Sequence, residues 1–522
     1  MPVTAKPLII VTAGIYLLLV LAIGVWAATR TRNEKDFFIA GQRVGLFVTG
    51  LATMSAAFSG FVFLGGPGLT YRLGLSSLWI VLPVGFTAGL LCWLPGKRLR
   101  SLAGIREVYT VPDAVACRFR SRRATAAAAI AVALGTVAYL GAQLLALGVL
   151  LQSIFGLGSL ARGMGLGLAV LLAYGVAGGM IAGVYTDLVQ GILMVLGAVV
   201  VFGQALRTTG GWGELTRSIA ESEAFGPAFL EPFGPHAPAL TAFGFFFVFG
   251  VGVLGQPQML HKFYMLDDPR KLKWMPLVLG SSQTLCLLIW VGIGLAVPAL
   301  VARGQLAALA RPDDAAPLFL LHHTPEVLAG LVLAGVIAAI MSTADSFMNI
   351  GAAALVRDLP RAFGRPLRNE LTWGRFAVVA ISVVAALVAY GYGDLIALLG
   401  TFAFGTFAAA LAPTLAVGLA WERVTARAAT ASIVTGLVLN VGLEFLAKQT
   451  LFAALPRPPL PPGVLPSAVA LAASFTVLFA VSWCSRPEAI DPDLRAVLIG
   501  SGTVTVPVRP TRSAGGAAPA PE

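Results

Sequence analysis

An all-α, polytopic membrane protein of about thirteen transmembrane helices is the fold class this sequence predicts, on three observations. The 522 residues are 57% hydrophobic and 11% charged, and their mean hydropathy is +0.86, far from a water-soluble average. The apolar residues gather in runs of membrane-spanning length. The basic residues gather at alternate ends of those runs.

In order, the runs are Leu8 to Ala28, Leu46 to Leu69, Ser77 to Pro95, Ala124 to Phe155, Met164 to Tyr185, Leu188 to Leu206, Leu240 to Leu260, Met275 to Leu300, Val327 to Val356, Phe376 to Tyr390, Leu395 to Leu419, Ala428 to Leu446 and Ser467 to Trp483. The first reads as a retained helix rather than a signal peptide, because it has no charged region beyond Lys6 and no small-residue cleavage site. Residues 1–484 therefore form one transmembrane domain. The tail at 485–522 ends in SAGGAAPAPE, which cannot bury enough apolar surface to fold and is expected to be disordered.

The net charge of +12 raises the possibility of a nucleic-acid partner, and the placement of the charges argues against it. Arg30, Arg32, Lys35 and Arg43 follow the first run, and Lys97 to Arg123 follow the third. Lys262, Arg270, Lys271 and Lys273 follow the seventh, Arg357 to Arg375 the ninth, and Arg423 and Arg427 the eleventh. All are odd-numbered exits, so the excess of Lys and Arg marks cytoplasmic loops in a lipid bilayer, with the N-terminus outside and the C-terminus inside. The cysteines Cys92, Cys117, Cys286 and Cys484 have no pairing or metal-ligand spacing.

Two runs are interrupted alike. The second contains SGFVFLGGPG (Ser59 to Gly68), and the seventh contains FGVGVLGQP (Phe249 to Pro257). Their spacing is that of two inverted five-helix repeats, at about 46–207 and 240–420, each beginning with a broken helix whose freed carbonyls can hold a cation or a solute. The other reading is packing, since Gly lets membrane helices approach closely.

The ninth run carries AAIMSTADS, from Ala338 to Ser346, with four polar residues in one and a half turns of an apolar helix. Hydroxyls at Ser342 and Thr343 suit a hard cation that takes several oxygen ligands. They equally suit back-bonding to carbonyls one turn earlier.

Several blocks together are similar to the sodium:solute symporter family, which includes proline, pantothenate, monocarboxylate and sodium/glucose transporters. They are FFIAGQRVG (Phe37 to Gly45), SAAFSGFVFLGGPGLTYRLG (Ser55 to Gly74), YTVPDAVACRF (Tyr109 to Phe119), GGMIAGVYTDLVQG (Gly178 to Gly191), GQPQMLHKF (Gly255 to Phe263) and MSTADSFMNIGAAALVRDL (Met341 to Leu359). The resemblance implies a LeuT-like 5+5 core and a sodium site (Na+ being the co-transported ion, with no organic cofactor) between the second and ninth runs. Carried over, its ligands are the carbonyls of Ser55, Phe58 and Ala339 and the hydroxyls of Ser342 and Thr343.

Asp187 matches the family's TD-x-x-Q motif, implying a part in the cytoplasmic sodium route. The alternative is a helix-start carboxylate favoured by the N-terminal dipole. Asp345 matches the family's STADS pattern and reads as structural. Three departures separate the chain from proline-specific members: Ala57 stands where they carry an acidic residue, Phe61 where they carry Trp, and Phe347 where Gln is usual. The SSLWI run (Ser76 to Ile80) and GQPQML remain closer to that branch than to the sugar branch.

Solute contacts are expected from the breaks and the helices facing them: Phe61, Tyr139, Gln143, Phe245, Gln256 and Gln258. An apolar and amide lining suits a small zwitterionic or anionic solute better than a sugar, which needs more polar partners. His236, His322 and His323 fall in outer loops and His261 at a cytoplasmic end, and all four are expected to be solvated. The reading that follows is a sodium-coupled symporter importing a small organic solute, an amino acid such as proline or a monocarboxylate, by alternating access. The alternative is a transporter-like sensor, which usually carries a fused signalling domain. An enzyme is disfavoured because the chain shows no nucleophile–base pair, metal-ligand cluster or phosphate loop.

Overall fold

The structure, a computed structural model, describes residues 7–28, 42–175, 180–234, 238–392, 395–448 and 460–499. Where it is described, each of the predicted runs falls mainly on helix. The elements are α1 Pro7–Ala28, α2 Leu46–Ala57, α3 Phe61–Ile80, α4 Val84–Leu91, α5 Lys97–Ile105, α6 Val111–Phe119, α7 Arg122–Phe155, α8 Leu160–Gly175, α9 Met180–Thr208 and α10 Trp212–Ala220. They continue with α11 Ala239–Gly255, α12 Pro257–Phe263, α13 Met275–Ala302, α14 Ala315–His322, α15 Glu326–Ala362, α16 Glu370–Tyr392, α17 Ile396–Gly418, α18 Ala426–Lys448, α19 Pro466–Cys484 and α20 Pro492–Leu498. Among the described residues, eight helices are individually long and apolar enough to cross a membrane, and two bent pairs raise that to ten. The remaining runs coincide with α1, with α4 bent into α5 by a wide turn at Cys92–Gly96 around Pro95, and with the shorter α8.

The bent pairs are the two interruptions read from sequence: α2 and α3 meet at 54°, α11 and α12 at 42°. Five helical units run from each break to the end of its repeat. The two halves interlock, with α9 against α13 and α7 against both α15 and α17. α1 lies outside this core on α15 and α9, and α18 and α19 pair beside α17.

The odd-numbered exits meet at one end of the bundle. Val44 and Leu266 form an isolated parallel bridge. Arg100 donates to the carbonyls of Leu266 (2.6 Å) and Asp267 (3.0 Å), and Arg118 donates to those of Trp421, Glu422 and Val424 at 3.3–3.4 Å. Arg357 is held between Asp113 (2.9 Å) and Asp358 (2.7 Å). The basic residues counted from sequence as topology signals thus also rivet the loops to one another.

Several boundaries differ from expectation. The described part of α8 reaches Gly175 and α9 is already helical at Met180, so residues 180–185, counted from sequence with the fifth run, belong to the sixth helix. The second span runs on to Ile80 rather than Leu69. The connection between α9 and α11 carries α10, whose Ser218 and Glu214 are tied to Arg303, the residue just past α13. The tail, expected to be without structure, carries α20. Asp491 before it pairs with Arg106 (3.2 Å) and Arg120 (2.9 Å), and Leu494 and Leu498 are buried against the bundle. Residues 500–522 lie outside the described residues. The four cysteines are free thiols.

Candidate sodium and solute site

The first break is built without proline. α2 stops at Ala57, and Phe58 takes an extended conformation, φ −99° and ψ 106°. Ser59 caps the restarted helix by accepting the Phe61 N–H at 3.3 Å, as a Ser at a helix start does. The Gly60 N–H, which has lost its helical acceptor, donates instead to Gln143 Oε1 on α7 at 3.2 Å. Gly66 permits the close approach of α13, since a Cβ there would lie 2.2 Å from the Trp290 ring.

The second break is made by Pro257. A residue before proline is pushed out of the α region, and Gln256 is extended, φ −80° and ψ 105°. Pro257 then opens α12, where a missing N–H costs nothing. The Gln256 carboxamide donates to the carbonyls of Phe404 (3.0 Å) and Gly252 (3.2 Å), and Gln258 donates to it at 3.4 Å.

α15 passes the first break with Ala339, Ser342 and Thr343, all buried, as are Ser55 and Phe58. The hydroxyls there do not bond back one turn. Thr343 Oγ1 donates across to the Ser55 carbonyl at 3.4 Å, and Ser342 Oγ donates to Asp187 Oδ1 on α9. Thr49, Thr53, Thr401 and Thr406 behave in the ordinary way, each donating to the carbonyl four residues earlier at 2.7–2.9 Å. The polar cluster of α15 is therefore aimed at its neighbours. Asp345 is buried too, and its Oδ1 has no hydrogen-bond partner among the described residues.

Asp187 is not a helix-start residue. It lies well inside α9, with its side chain only 2% exposed, and is paired at 2.7 Å with Lys262 of α12, also 2% exposed. The helix-start alternative fails because α9 begins at least seven residues earlier. Lys262 was counted from sequence as a cytoplasmic topology charge; the signal that could have singled it out is its position one turn past Gln258 at the end of an apolar run.

The expected solvated state of His261 is also overturned. It is buried on α12, facing a cavity shared with Thr110, Asn349 and Asp358, because α12 packs inward against α2 and α15. His322 is exposed and His323 half-buried at the end of α14; His236 lies outside the described residues.

Two of the six solute candidates, Phe61 and Tyr139, each belong to a ring stack. Phe61 stacks on Phe249 (5.5 Å) and Phe249 on Phe404 (4.4 Å), joining the first break to the second. Trp290 closes on Phe61 edge-on at 5.8 Å. Tyr139 stacks on Phe347 (4.5 Å) and Phe347 on Phe407 (5.7 Å). Gln143 Nε2 and Gln258 Oε1 are buried with no partner among the described residues, leaving one donor and one acceptor in the interior. Phe245 is buried on α11 but belongs to neither stack among the described residues. Trp290, Phe249, Phe404 and Phe407 were not anticipated, since a buried aromatic in an apolar run carries no distinguishing sequence signal, whereas Phe347 was marked from sequence only as a departure from the proline-specific pattern.

Broken helices at the head of two five-helix units define a transporter class, and comparison with known proteins assigns it. Residues 37–436 match the model of the Sodium:solute symporter family. The chain belongs to this family, and it is a multi-pass membrane transporter that couples solute movement to sodium. It is 29% identical over 445 residues to the osmoregulated proline transporter OpuE of Bacillus subtilis, covering 82% of this chain and 87% of that one. It is 28% identical over 442 residues to the sodium/proline symporter of Haemophilus influenzae (82% and 86%). It is 27% identical over 441 residues to that of Escherichia coli (82% and 86%). In fold it resembles a Na+-coupled sialic acid symporter in a substrate-bound outward-open state, with a TM-score of 0.74 at 17% identity over 93% of this chain and 99% of that one. It also resembles the nucleobase-cation-symport-1 transporter Mhp1, with a TM-score of 0.55 at 13% identity over 90% and 99%.

Proposed function

We propose that the chain imports a small zwitterionic or anionic solute, in the first instance proline or a closely related amino acid, with sodium held between α2 and α15. The carbonyls of Ser55, Phe58 and Ala339 and the hydroxyls of Ser342 and Thr343 form the sodium cage. The observation that carries this is the orientation of the two hydroxyls, which reach across to Ser55 and Asp187 where other membrane threonines of this chain bond back along their own helix. A cage of neutral dipoles suits a hard monovalent ion that must also leave.

Asp187 lies on the cytoplasmic side of the cage and serves the sodium route. Sodium binding favours the outward-open, solute-competent state, and its release inside lets the solute go. The solute site lies between the breaks, with the rings of Phe61 and Tyr139 as walls and Gln143, Gln256 and Gln258 as its hydrogen-bonding groups. The similarity to proline transporters supports the amino-acid reading. Ala57, Phe61 and Phe347, which depart from the proline-specific pattern, are the reason to test monocarboxylates beside it.

The membrane domain spans 1–484, with the N-terminus outside and the basic end of the bundle in the cytoplasm. The chain performs no covalent chemistry of its own. The deciding experiment is uptake of a radiolabelled panel (proline, other small amino acids, monocarboxylates, a hexose) into proteoliposomes with and without a sodium gradient. Sodium-driven accumulation of proline supports the reading; accumulation driven only by a proton gradient, or of the hexose alone, rejects it.

A further inference from the structure

The buried ion pair between Asp187 and Lys262 has no role in the cage, yet it touches it. One carboxylate oxygen of Asp187 receives the ammonium of Lys262 at 2.7 Å, and the other receives the hydroxyl of the cage residue Ser342. Both charged side chains are 2% exposed. Two ions taken this far from water are tolerated because each neutralises the other, and removing either leaves an uncompensated buried charge. Sodium arriving at Asp187 therefore cannot simply add to it; the carboxylate is already occupied.

We propose that Lys262 is a tethered cation that holds the place of sodium on Asp187, and that sodium leaves the cage by exchange, taking the carboxylate as the ammonium withdraws. The inference rests on reading Asp187 as part of the sodium route. The exchange conserves charge, since one cation replaces another on the same carboxylate. Asp345 offers the displaced ammonium a second acceptor: it lies one turn along α15 from Ser342, is buried, and its Oδ1 is without a partner among the described residues.

Position gives the exchange its use. Lys262 sits on α12, the short helix that begins at the second break and carries Gln258 one turn earlier. Asp187 sits on α9, and Ser342 on the sodium helix α15. A movement of α12 that follows the solute between the breaks would pull the ammonium from Asp187, so the device ties the solute side of the molecule to the opening of the sodium exit. Lys262 is thus a positioning residue that acts on sodium through Asp187.

Equilibrium binding of sodium-22 alone to the purified full-length protein tests this without knowledge of the solute. Lys262→Gln frees a carboxylate beside the cage and should tighten sodium binding about tenfold, whereas Asp187→Asn strands the ammonium there and should weaken it about tenfold. The double variant Asp187→Asn/Lys262→Gln is neutral, like the native pair, and should return to within about threefold of wild type, and Lys262→Arg should behave as wild type because it keeps the charge. A merely structural pair predicts weaker binding, or none, in both single variants, and that result overturns the proposal, as does unchanged affinity in both. Should Lys262→Gln fail to fold, the rate of sodium-22 release from the double variant decides: without the carboxylate that receives sodium, release should slow about tenfold at near-native affinity, and an unchanged release rate overturns the proposal. Thr343→Ala run alongside separates the two claims: if it keeps wild-type sodium affinity, the cage is wrong, whatever the Lys262 variants do.

Discussion

The two breaks do the same thing to the backbone by different means. At the first, glycine and serine let the helix stop, and a side chain from another helix, Gln143, takes over the orphaned Gly60 N–H. At the second, Pro257 forces the stop locally, and Gln256 satisfies nearby carbonyls with its own side chain. The first break therefore depends on its neighbours, and the Ser55 carbonyl beside it accepts the Thr343 hydroxyl of α15. The second is set locally, by the backbone chemistry of Gln256 and Pro257. On the proposed reading, the first break would hold the ion and the second would move with the solute, the two parts that alternating access requires.

The largest effect expected is at the second break's tightest packing. Gly255→Ala would place a Cβ 2.6 Å from the Phe407 carbonyl and 2.7 Å from the Ala412 backbone nitrogen. Neither is the end of a flexible side chain, so the cost is about 3 kcal/mol or more, and size-exclusion chromatography should show little monodisperse protein. If the variant is as well behaved and active as wild type, the second break is looser than described.

Next comes the dependence of the first break on α7. Gln143→Ala leaves the buried Gly60 N–H without an acceptor, a loss of about 1–3 kcal/mol, so the thermal unfolding midpoint should fall and sodium affinity fall with it. Gln256→Ala, whose break is set by Pro257, should cost less stability and fall mainly on solute affinity. Equal losses of stability in the two would erase the contrast.

Within the cage, Thr343→Ala should raise the sodium concentration for half-maximal uptake about tenfold or more, equivalent to about 1.4 kcal/mol. Thr343→Ser keeps the oxygen and should be mild. Ser346→Ala, one turn beyond Ser342 and outside the cage, should leave sodium dependence unchanged; a shift equal to that of Thr343→Ala would return the hydroxyls to a packing role.

The smallest effect lies away from both breaks. Asp491→Asn removes two partly exposed ion pairs to Arg106 and Arg120, worth up to about 1 kcal/mol together and screened by salt. Limited proteolysis should release the tail beyond Ser485 faster in this variant at low salt and no faster at high salt. Uptake should be the same as in wild type.

What the sequence determined by itself was whatever depends on composition and local backbone chemistry. Apolar runs must be helices in lipid because nothing else satisfies their backbone. Pro257 pushes the residue before it out of the helical region, and the basic residues at alternate exits gather at one end of the bundle. The polar residues of AAIMSTADS, set in an apolar run, announced a site without saying which way they face. Tertiary structure decided that direction: whether Ser342 and Thr343 bond back or reach across depends on what α2 and α9 present to them. It also decided the partner of Asp187, since Lys262 lies 75 residues away in the chain and only the packing of α12 inside the bundle brings their charges to 2.7 Å. The docking of α20 follows the same logic, because a short helix of little intrinsic stability forms where Asp491 meets Arg106 and Arg120 and where Leu494 and Leu498 are buried. Long-range pairing leaves no trace in local pattern, and that is where the mechanism of this protein is written.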